Sequence, residues 1–200
     1  MSATIVFLHG FGTNGAADGY RDVLASEFPW AAVAAPDLPP DPLEAVAVAE
    51  GAIRRAQDPV ALVGISLGGF YARHLAAAHG LSSVLVNPAL EAHVHASGLV
   101  GRHVNFATGE PFEFTPAHFL SLSRLAVGAG TPVDALDVAV SMDDDVVPPD
   151  ETISYCRRHG IRVSTFDGHG HRFLDFGAVA PLVRENLARA GLAEGAPSPR

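Results

Sequence analysis

A serine lies between two glycines in the segment Gly64-Ile65-Ser66-Leu67-Gly68, and this spacing is typical of a catalytic nucleophile. An apolar run at 60–65 precedes the serine and a helix-compatible run at 69–79 follows it. A sharp strand-to-helix turn exposes the serine hydroxyl and leaves no room for side chains two positions before and after it. Ser66 is therefore predicted to attack an electrophilic carbon, and the alternative is a glycine-rich loop without chemistry.

A serine hydroxyl is a weak nucleophile until a base removes its proton and a third group orients that base. Asp143-Asp144-Asp145 could supply the acid, and His169 or His171 could supply the base. The order serine, acid, histidine along the chain is the one found in α/β-hydrolases. Each candidate directly follows a predicted strand, so a parallel sheet would bring all three to one edge.

Negative charge that develops on a carbonyl oxygen also needs hydrogen-bond donors. The backbone N–H of Leu67, directly after the candidate nucleophile, is one predicted donor. The second is expected from the loop after the first strand, where His9-Gly10-Phe11-Gly12 lies, and the N–H of Phe11 is our choice. A plain glycine turn is the alternative interpretation of that loop.

Short apolar runs alternate with helical patterns along most of the chain. This alternation predicts an α/β fold with a mostly parallel sheet of about six strands and helices on both faces. The predicted strands are at 4–8, 30–35, 60–65, 83–86, 137–142 and 162–166.

The alternation fails between residues 89 and 132, which read as an insertion that is partly helical around 116–125. Loops of this length are uncommon and often functional, so the insertion is predicted to form a small cap over the carboxyl edge of the sheet. A surface excursion with its own small core is the alternative. Phe112 and Phe114 within this segment are predicted to line the substrate pocket.

Composition narrows the possible classes of function. The chain has 200 residues and is expected to form one domain at 1–190 with a frayed tail at 191–200. A net charge of −9 argues against nucleic-acid binding, and the complete absence of lysine excludes Schiff-base chemistry. One cysteine precludes an internal disulfide, and no apolar stretch reaches membrane-spanning length. A cytoplasmic protein without a membrane partner is expected.

Several short motifs in one order resemble the YqiA-like family of small bacterial esterases, within the α/β-hydrolase superfamily. They are Phe7-Leu8-His9-Gly10-Phe11, Pro36-Asp37-Leu38-Pro39-Pro40, Gly64–Ala72, Val86-Asn87-Pro88-Ala89, Thr108-Gly109-Glu110 and His171-Arg172-Phe173. The resemblance implies a compact α/β-hydrolase fold and an enzyme without a cofactor. By position it implies Ser66 as nucleophile, Asp144 as acid and His171 as base.

The expected function is therefore a serine hydrolase that cleaves acyl esters or acyl thioesters through a Ser-His-Asp triad. Its partner is expected to be a small-molecule acyl substrate, and its state a monomer or a homodimer. The alternative is a non-catalytic small-molecule-binding protein on the same fold. A metal-dependent hydrolase is a more distant alternative. The pairs His93 and His95 or His169 and His171, with the aspartates at 143–145, could contribute ligands, but no metal is expected.

Overall fold

A parallel β-sheet forms the centre of the computed structural model, which describes residues 2–128 and 135–194. Its six strands lie in the order β2-β1-β3-β4-β7-β8, and every neighbouring pair is parallel. They are β1 (Ala3–Leu8), β2 (Ala31–Ala34), β3 (Val60–Ile65), β4 (Ser82–Val86), β7 (Leu136–Ser141) and β8 (Arg162–Phe166), with β5 and β6 lying outside this sheet. The predicted strands and the parallel sheet are confirmed, with strand ends that differ by at most one residue.

The central strands are largely apolar because both of their faces are covered. All six residues of β1 and all five of β4 are buried. The helices that cover the sheet are α1 (Tyr20–Glu27), α2 (Pro42–Arg55), α3 (Leu67–His79), α6 (Pro149–His159) and α7 (Ala180–Arg189). One core cluster packs α2, α3 and α6 against one face of the sheet, and a second packs α1 and α7 against the other.

The segment between β4 and β7 folds into elements of its own. They are α4 (Ala92–His95), a 3-10 helix (Ala96–Leu99), β5 (Gly101–Val104), β6 (Pro111–Phe114) and α5 (Pro116–Leu125). The helix predicted around 116–125 is confirmed, whereas the antiparallel β5–β6 hairpin was not predicted. Phe114, Leu122 and Leu125 join the core cluster on the α3 face, so the segment packs onto the sheet domain.

Two of the predicted segments are described only in part. Residues 129–132 of the predicted insertion and 195–200 of the predicted tail lie outside the described residues. Within residues 2–128 and 135–194, no helix is both long enough and apolar enough to cross a membrane.

Candidate active site

Ser66 stands at the junction between β3 and α3 in a strained backbone conformation, with φ 54° and ψ −124°. A non-glycine residue with positive φ is uncommon and persists only where the surroundings hold it. Two glycines make the turn possible, because a Cβ at Gly64 would lie 2.4 Å from Gly68 O and one at Gly68 would lie 2.1 Å from Leu8 O. The predicted strand–turn–helix geometry is therefore present, and the turn presents the Ser66 hydroxyl at the carboxyl edge of the sheet.

His171 bridges Ser66 and Asp144, which lie 105 and 27 residues away from it in the sequence. His171 Nε2 is 3.0 Å from Ser66 Oγ. On the other side of the ring, Nδ1 is 2.9 Å from both carboxylate oxygens of Asp144. The three side chains that the resemblance implies, Ser66, His171 and Asp144, are thus joined by hydrogen bonds.

Asp144 is buried, and its carboxylate is held from two directions. Its Oδ1 accepts the backbone N–H groups of Val146 at 2.8 Å and Val147 at 2.9 Å, in addition to the contact with His171. These bonds fix the carboxylate with respect to the end of β7. Asp145, in contrast, is exposed on the wall of the cleft.

Asp143 holds the loop after β8 rather than an imidazole ring. Its Oδ1 accepts the N–H groups of Gly168 at 3.0 Å and His169 at 3.2 Å, and its Oδ2 accepts the N–H of Gly170 at 3.1 Å. The hydroxyl of Ser141, together with these backbone donors, lowers the pKa of Asp143 to about 2. Asp143 therefore stays ionised and anchors the segment that carries His171.

His169 lies on the same loop but in a different environment. Its ring stacks on Phe173 with 4.5 Å between the ring centroids and an interplanar angle of 5°. No hydrogen bond joins the His169 ring to Ser66 or to the aspartates among the described residues, although the side chain does line the cleft. The geometry therefore joins His171, and not His169, to the serine.

Asn87 is a buried residue of this site, and its only predicted feature was its place in a family motif. Its Nδ2 donates to Gly170 O at 2.9 Å and to His171 O at 3.0 Å, and its Oδ1 accepts Ser141 N–H at 2.7 Å. Asn87 thereby ties the end of β4 and the end of β7 to the histidine loop. Its position at the end of a predicted strand was the sequence signal for this residue. The structure gives it a φ of 41°, a conformation that asparagine tolerates better than most residues do.

The loop after β1, residues 9–16, passes directly over Ser66, and we call it the β1 loop. A Cβ built on Gly10 would lie 3.2 Å from Ser66 Cβ. Among the described residues, the backbone N–H groups of Phe11 and Leu67 donate to no protein acceptor. Both therefore remain available as donors, as their predicted oxyanion roles require.

His9 fixes the start of the β1 loop as a neutral imidazole. Its Nδ1–H donates to Gly10 O at 2.8 Å, and its Nε2 accepts the N–H of Leu38 at 2.8 Å. Burial lowers the pKa of His9 below its usual value, against weaker opposing effects of the Gly10 carbonyl and Asp37. The neutral form is the one that both hydrogen bonds require, because Nε2 must accept.

A cleft of about 1220 Å³ opens above Ser66 and His171. Its walls come from the β1 loop, the start of α3, residues 89–107 and the loops that follow β7 and β8. The walls contributed by 89–107 are largely apolar. They include Ala89, Leu90, Ala92, Ala96, Leu99, Phe106 and Ala107.

Phe112 and Phe114 do not line this cleft, which corrects the prediction that they form the substrate pocket. Both rings pack edge-on against Phe11, with ring centroids 5.3 Å and 5.4 Å away. Phe114 is fully buried. The aromatic side chains of β6 therefore pack against the Phe11 side chain, whereas Phe11 and His103 themselves line the cleft.

The sequence matches a family model described as Uncharacterised protein family (UPF0227) over residues 4–183. The chain belongs to this family. UPF0227 is the YqiA-like family that the sequence motifs resemble, so that prediction is confirmed.

Three solved structures that are similar to this UPF0227 member are described as a lipase, an alpha/beta hydrolase and an esterase domain. The monoacylglycerol lipase of Paleococcus ferrophilus has a TM-score of 0.72 at 15% identity, covering 93% of this chain and 94% of its own. Mouse alpha/beta hydrolase domain-containing protein 10 has a TM-score of 0.68 at 16% identity, covering 94% and 90%. The esterase domain of a Rhodothermus marinus protein has a TM-score of 0.66 at 20% identity, covering 94% and 87%. These similarities confirm the α/β-hydrolase fold.

Proposed function

We propose that this UPF0227 member is a serine hydrolase that cleaves carboxylic esters through an acyl-enzyme intermediate. The observation that carries the proposal is the line from Asp144 through His171 to Ser66, with heavy-atom distances of 2.9 and 3.0 Å. Such distances are those required of a nucleophile, its base and the group that orients the base. The esterase and lipase structures of the same fold add support.

Acylation begins when His171 Nε2 takes the proton of the Ser66 hydroxyl as Oγ attacks the carbonyl carbon of the ester. The carbonyl oxygen becomes an oxyanion, and the N–H groups of Phe11 and Leu67 stabilise it. The C–O bond to the leaving group then breaks. His171 returns the proton to the departing alkoxide, which leaves as an alcohol, and the acyl group remains on Ser66.

Deacylation repeats these steps with water as the nucleophile. His171 takes a proton from the water as its oxygen attacks the acyl carbon, and the proton passes to Ser66 Oγ as the acid is released. Asp144 accepts the Nδ1–H of His171 throughout, so Nε2 faces the serine and the imidazolium that forms is stabilised.

The substrate in this proposal is an ester with an apolar acyl group. Residues 89–107 belong to the insertion at 89–132 that the sequence predicts to be a cap, and in this proposal their apolar side chains provide the contact surface for the acyl chain. Thioesters share the same electrophilic carbon and are the second substrate class to test. The cap and the sheet together form one domain in this proposal.

A fluorophosphonate probe tests the nucleophile directly, because it reacts covalently with an activated serine. Intact-mass measurement of the wild type is expected to give one adduct, located on Ser66 by peptide mapping. Ser66→Ala is expected to give none and to lose turnover of a short-chain nitrophenyl ester by a factor on the order of 10⁶. Labelling at a residue other than Ser66, or turnover by Ser66→Ala, would contradict the proposal.

The base is tested by comparing His171→Ala with His169→Ala, a matched variant on the same loop. We expect His171→Ala to abolish both labelling and turnover, and His169→Ala to retain both. If the wild type binds acyl esters but neither labels nor hydrolyses them, the protein is a binding protein on a hydrolase fold.

A further inference from the structure

The tip of the β5–β6 hairpin binds the β1 loop at two consecutive backbone carbonyls. Phe106 N–H donates to Gly12 O at 2.7 Å, and Asn105 Nδ2 donates to Thr13 O at 3.1 Å. These are the two residues that follow Phe11 in the chain. The hairpin therefore holds the loop within two residues of the N–H group that would stabilise an oxyanion.

The same hairpin also holds the Phe11 side chain. The ring of His103 on β5 lies 4.9 Å from the Phe11 ring, at an interplanar angle of 90°, and the two aromatic rings of β6 pack around it as described above. His103 is in turn fixed by its Nε2–H, which donates to Leu99 O at 2.6 Å. Backbone and side chain of the β1 loop are thus both held by one hairpin.

Asn105 uses its two side-chain atoms for separate tasks. Its Oδ1 accepts the N–H groups of Ala107 at 2.9 Å and Thr108 at 3.1 Å, which closes the hairpin turn. Its Nδ2 makes the bond to Thr13 O. This division also fixes the orientation of the amide, since the opposite orientation would place its NH₂ against two N–H donors.

We propose that Asn105 is a positioning residue for ester hydrolysis, which acts by holding Phe11 N–H over Ser66. The proposal rests on the serine-hydrolase function proposed above. An oxyanion donor must stay within about 0.5 Å of its productive position, and a surface loop does not hold that position without a supporting contact. The β1 loop is held at its start by His9 and farther along by Gly15 N–H, which donates to Asp37 Oδ1. The hairpin holds it at Gly12 and Thr13, the points nearest to Phe11 on its other side.

The substitution Asn105→Asp separates the two tasks. It keeps the acceptor for Ala107 and Thr108, so the turn can still close, and it replaces the donor to Thr13 O with an oxygen. Thr108→Ala is the matched control, because Thr108 Oγ1 accepts Glu110 N–H within the same turn and makes no hydrogen bond to the β1 loop among the described residues. Asn105→Ser is a second variant that also lacks the donor and can still close the turn through its hydroxyl.

The measurements are kcat and KM for a nitrophenyl ester, and Ki for an alkyl trifluoromethyl ketone of the same chain length. The ketone forms a tetrahedral oxyanion on the serine and so reports on oxyanion stabilisation. Loss of one oxyanion donor lowers kcat by about 10²–10³-fold. We therefore expect Asn105→Asp and Asn105→Ser to lose about 10–100-fold in kcat with little change in KM, and to raise Ki by the same factor. Thr108→Ala is expected to match the wild type.

A kcat for Asn105→Asp within threefold of wild type, about the limit of a meaningful difference, would overturn the proposal. A rise in KM without a fall in kcat, or an unchanged Ki, in the Asn105 variants would also overturn it. The same holds for an equal loss of kcat in Thr108→Ala. If neither Asn105 variant folds, Asn105 serves the fold as a whole and the positioning role is wrong. A wild type that neither hydrolyses esters nor reacts with the fluorophosphonate would instead refute the proposed function, and this proposal with it.

Discussion

Asn87→Asp is the most informative single substitution outside the three side chains of the proposed triad. The aspartate keeps an acceptor for Ser141 N–H and tolerates the positive φ of this position, so the end of β4 stays as it is. It removes both donors to the histidine loop, at Gly170 O and His171 O. The exchange therefore isolates the link between the sheet and the proposed base.

The magnitude follows from the two lost hydrogen bonds. Each contributes about 1 kcal/mol net, and an oxygen set against two carbonyls in a buried site adds on the order of 1 kcal/mol. A total of about 3 kcal/mol corresponds to a fall in Tm of roughly 6–12 °C for a chain of this size. Displacement of the His171 backbone by about 1 Å would lower kcat by about 10²-fold.

Asn186→Asp is the control for a loss of stability away from the proposed triad. Asn186 is also buried, and its Nδ2 donates to Ser83 O at 3.1 Å, Ala135 O at 2.9 Å and Asp137 Oδ2 at 2.7 Å, near the opposite ends of the same two strands. The introduced aspartate would therefore face two carbonyls and the carboxylate of Asp137. We expect both variants to lose stability in thermal melts, and only Asn87→Asp to lose kcat per mole of folded protein. Equal kcat in the two variants would show that Asn87 supports the fold alone and would refute the reasoning.

Burial should also raise the pKa of the introduced carboxyl group above its value in the unfolded chain. Protonation then favours the folded state, and the protonated carboxyl can donate to one of the two carbonyls. The difference in Tm between wild type and Asn87→Asp should therefore narrow as the pH is lowered from 7 toward 5. A difference that widens at low pH would contradict this account.

Three further predictions concern the base, the β1 loop and the cap. Asp144→Asn is expected to lower kcat by about 10⁴-fold in steady-state ester hydrolysis, because His171 would lose the acceptor that sets its tautomer. Because the pKa of His9 is lowered on folding, its neutral form contributes stability above pH 6.5 that is lost as the pH falls below that value. Thermal melts between pH 5 and 8 should therefore show a smaller pH dependence for His9→Asn than for wild type. In a panel of acetyl to decanoyl esters, kcat/KM should rise about fourfold per methylene until the cleft is filled, and Phe106→Ala should flatten that rise.

Each of these predictions has an outcome that contradicts it. Asp143→Asn is the control for the first, and a larger loss of ester turnover there than in Asp144→Asn would reassign the acid. If the Tm of His9→Asn depends on pH as strongly as that of the wild type, His9 is not the source of the pH dependence. A flat chain-length profile in the wild type would mean that the cap does not bind the acyl group.

The sequence was most informative where a short motif imposes a backbone shape. The glycines around Ser66 predicted the strand–turn–helix junction, and the β-branched runs predicted all six strands of the sheet. The order of serine, aspartate and histidine placed the candidate side chains at one edge, because the carboxyl ends of parallel strands meet there.

The sequence was least informative where long-range packing decides the role of a side chain. An aromatic cluster in an insertion is compatible with a pocket wall and with a brace for a neighbouring loop, and only tertiary contacts distinguish Phe112 from Phe106. Three consecutive aspartates could not be separated by spacing alone, since turn geometry decides that Asp144 contacts His171 while Asp143 accepts backbone N–H groups. The choice among them depended on the family resemblance.

The attachment of the hairpin tip to the β1 loop has a consequence for how the cleft can open. A lid that swings freely lets substrate in without disturbing the chemistry, but lifting this hairpin would break the bonds to Gly12 O and Thr13 O. An open form of the cap would therefore be a form in which Phe11 has lost its support. Substrate and products of the proposed hydrolysis would instead pass through the open side of the cleft, where the lining residues Phe106 and Leu174 are 87% and 79% exposed. Under that proposal, the width of this opening rather than the movement of a lid limits the size of the alcohol or acid that can leave.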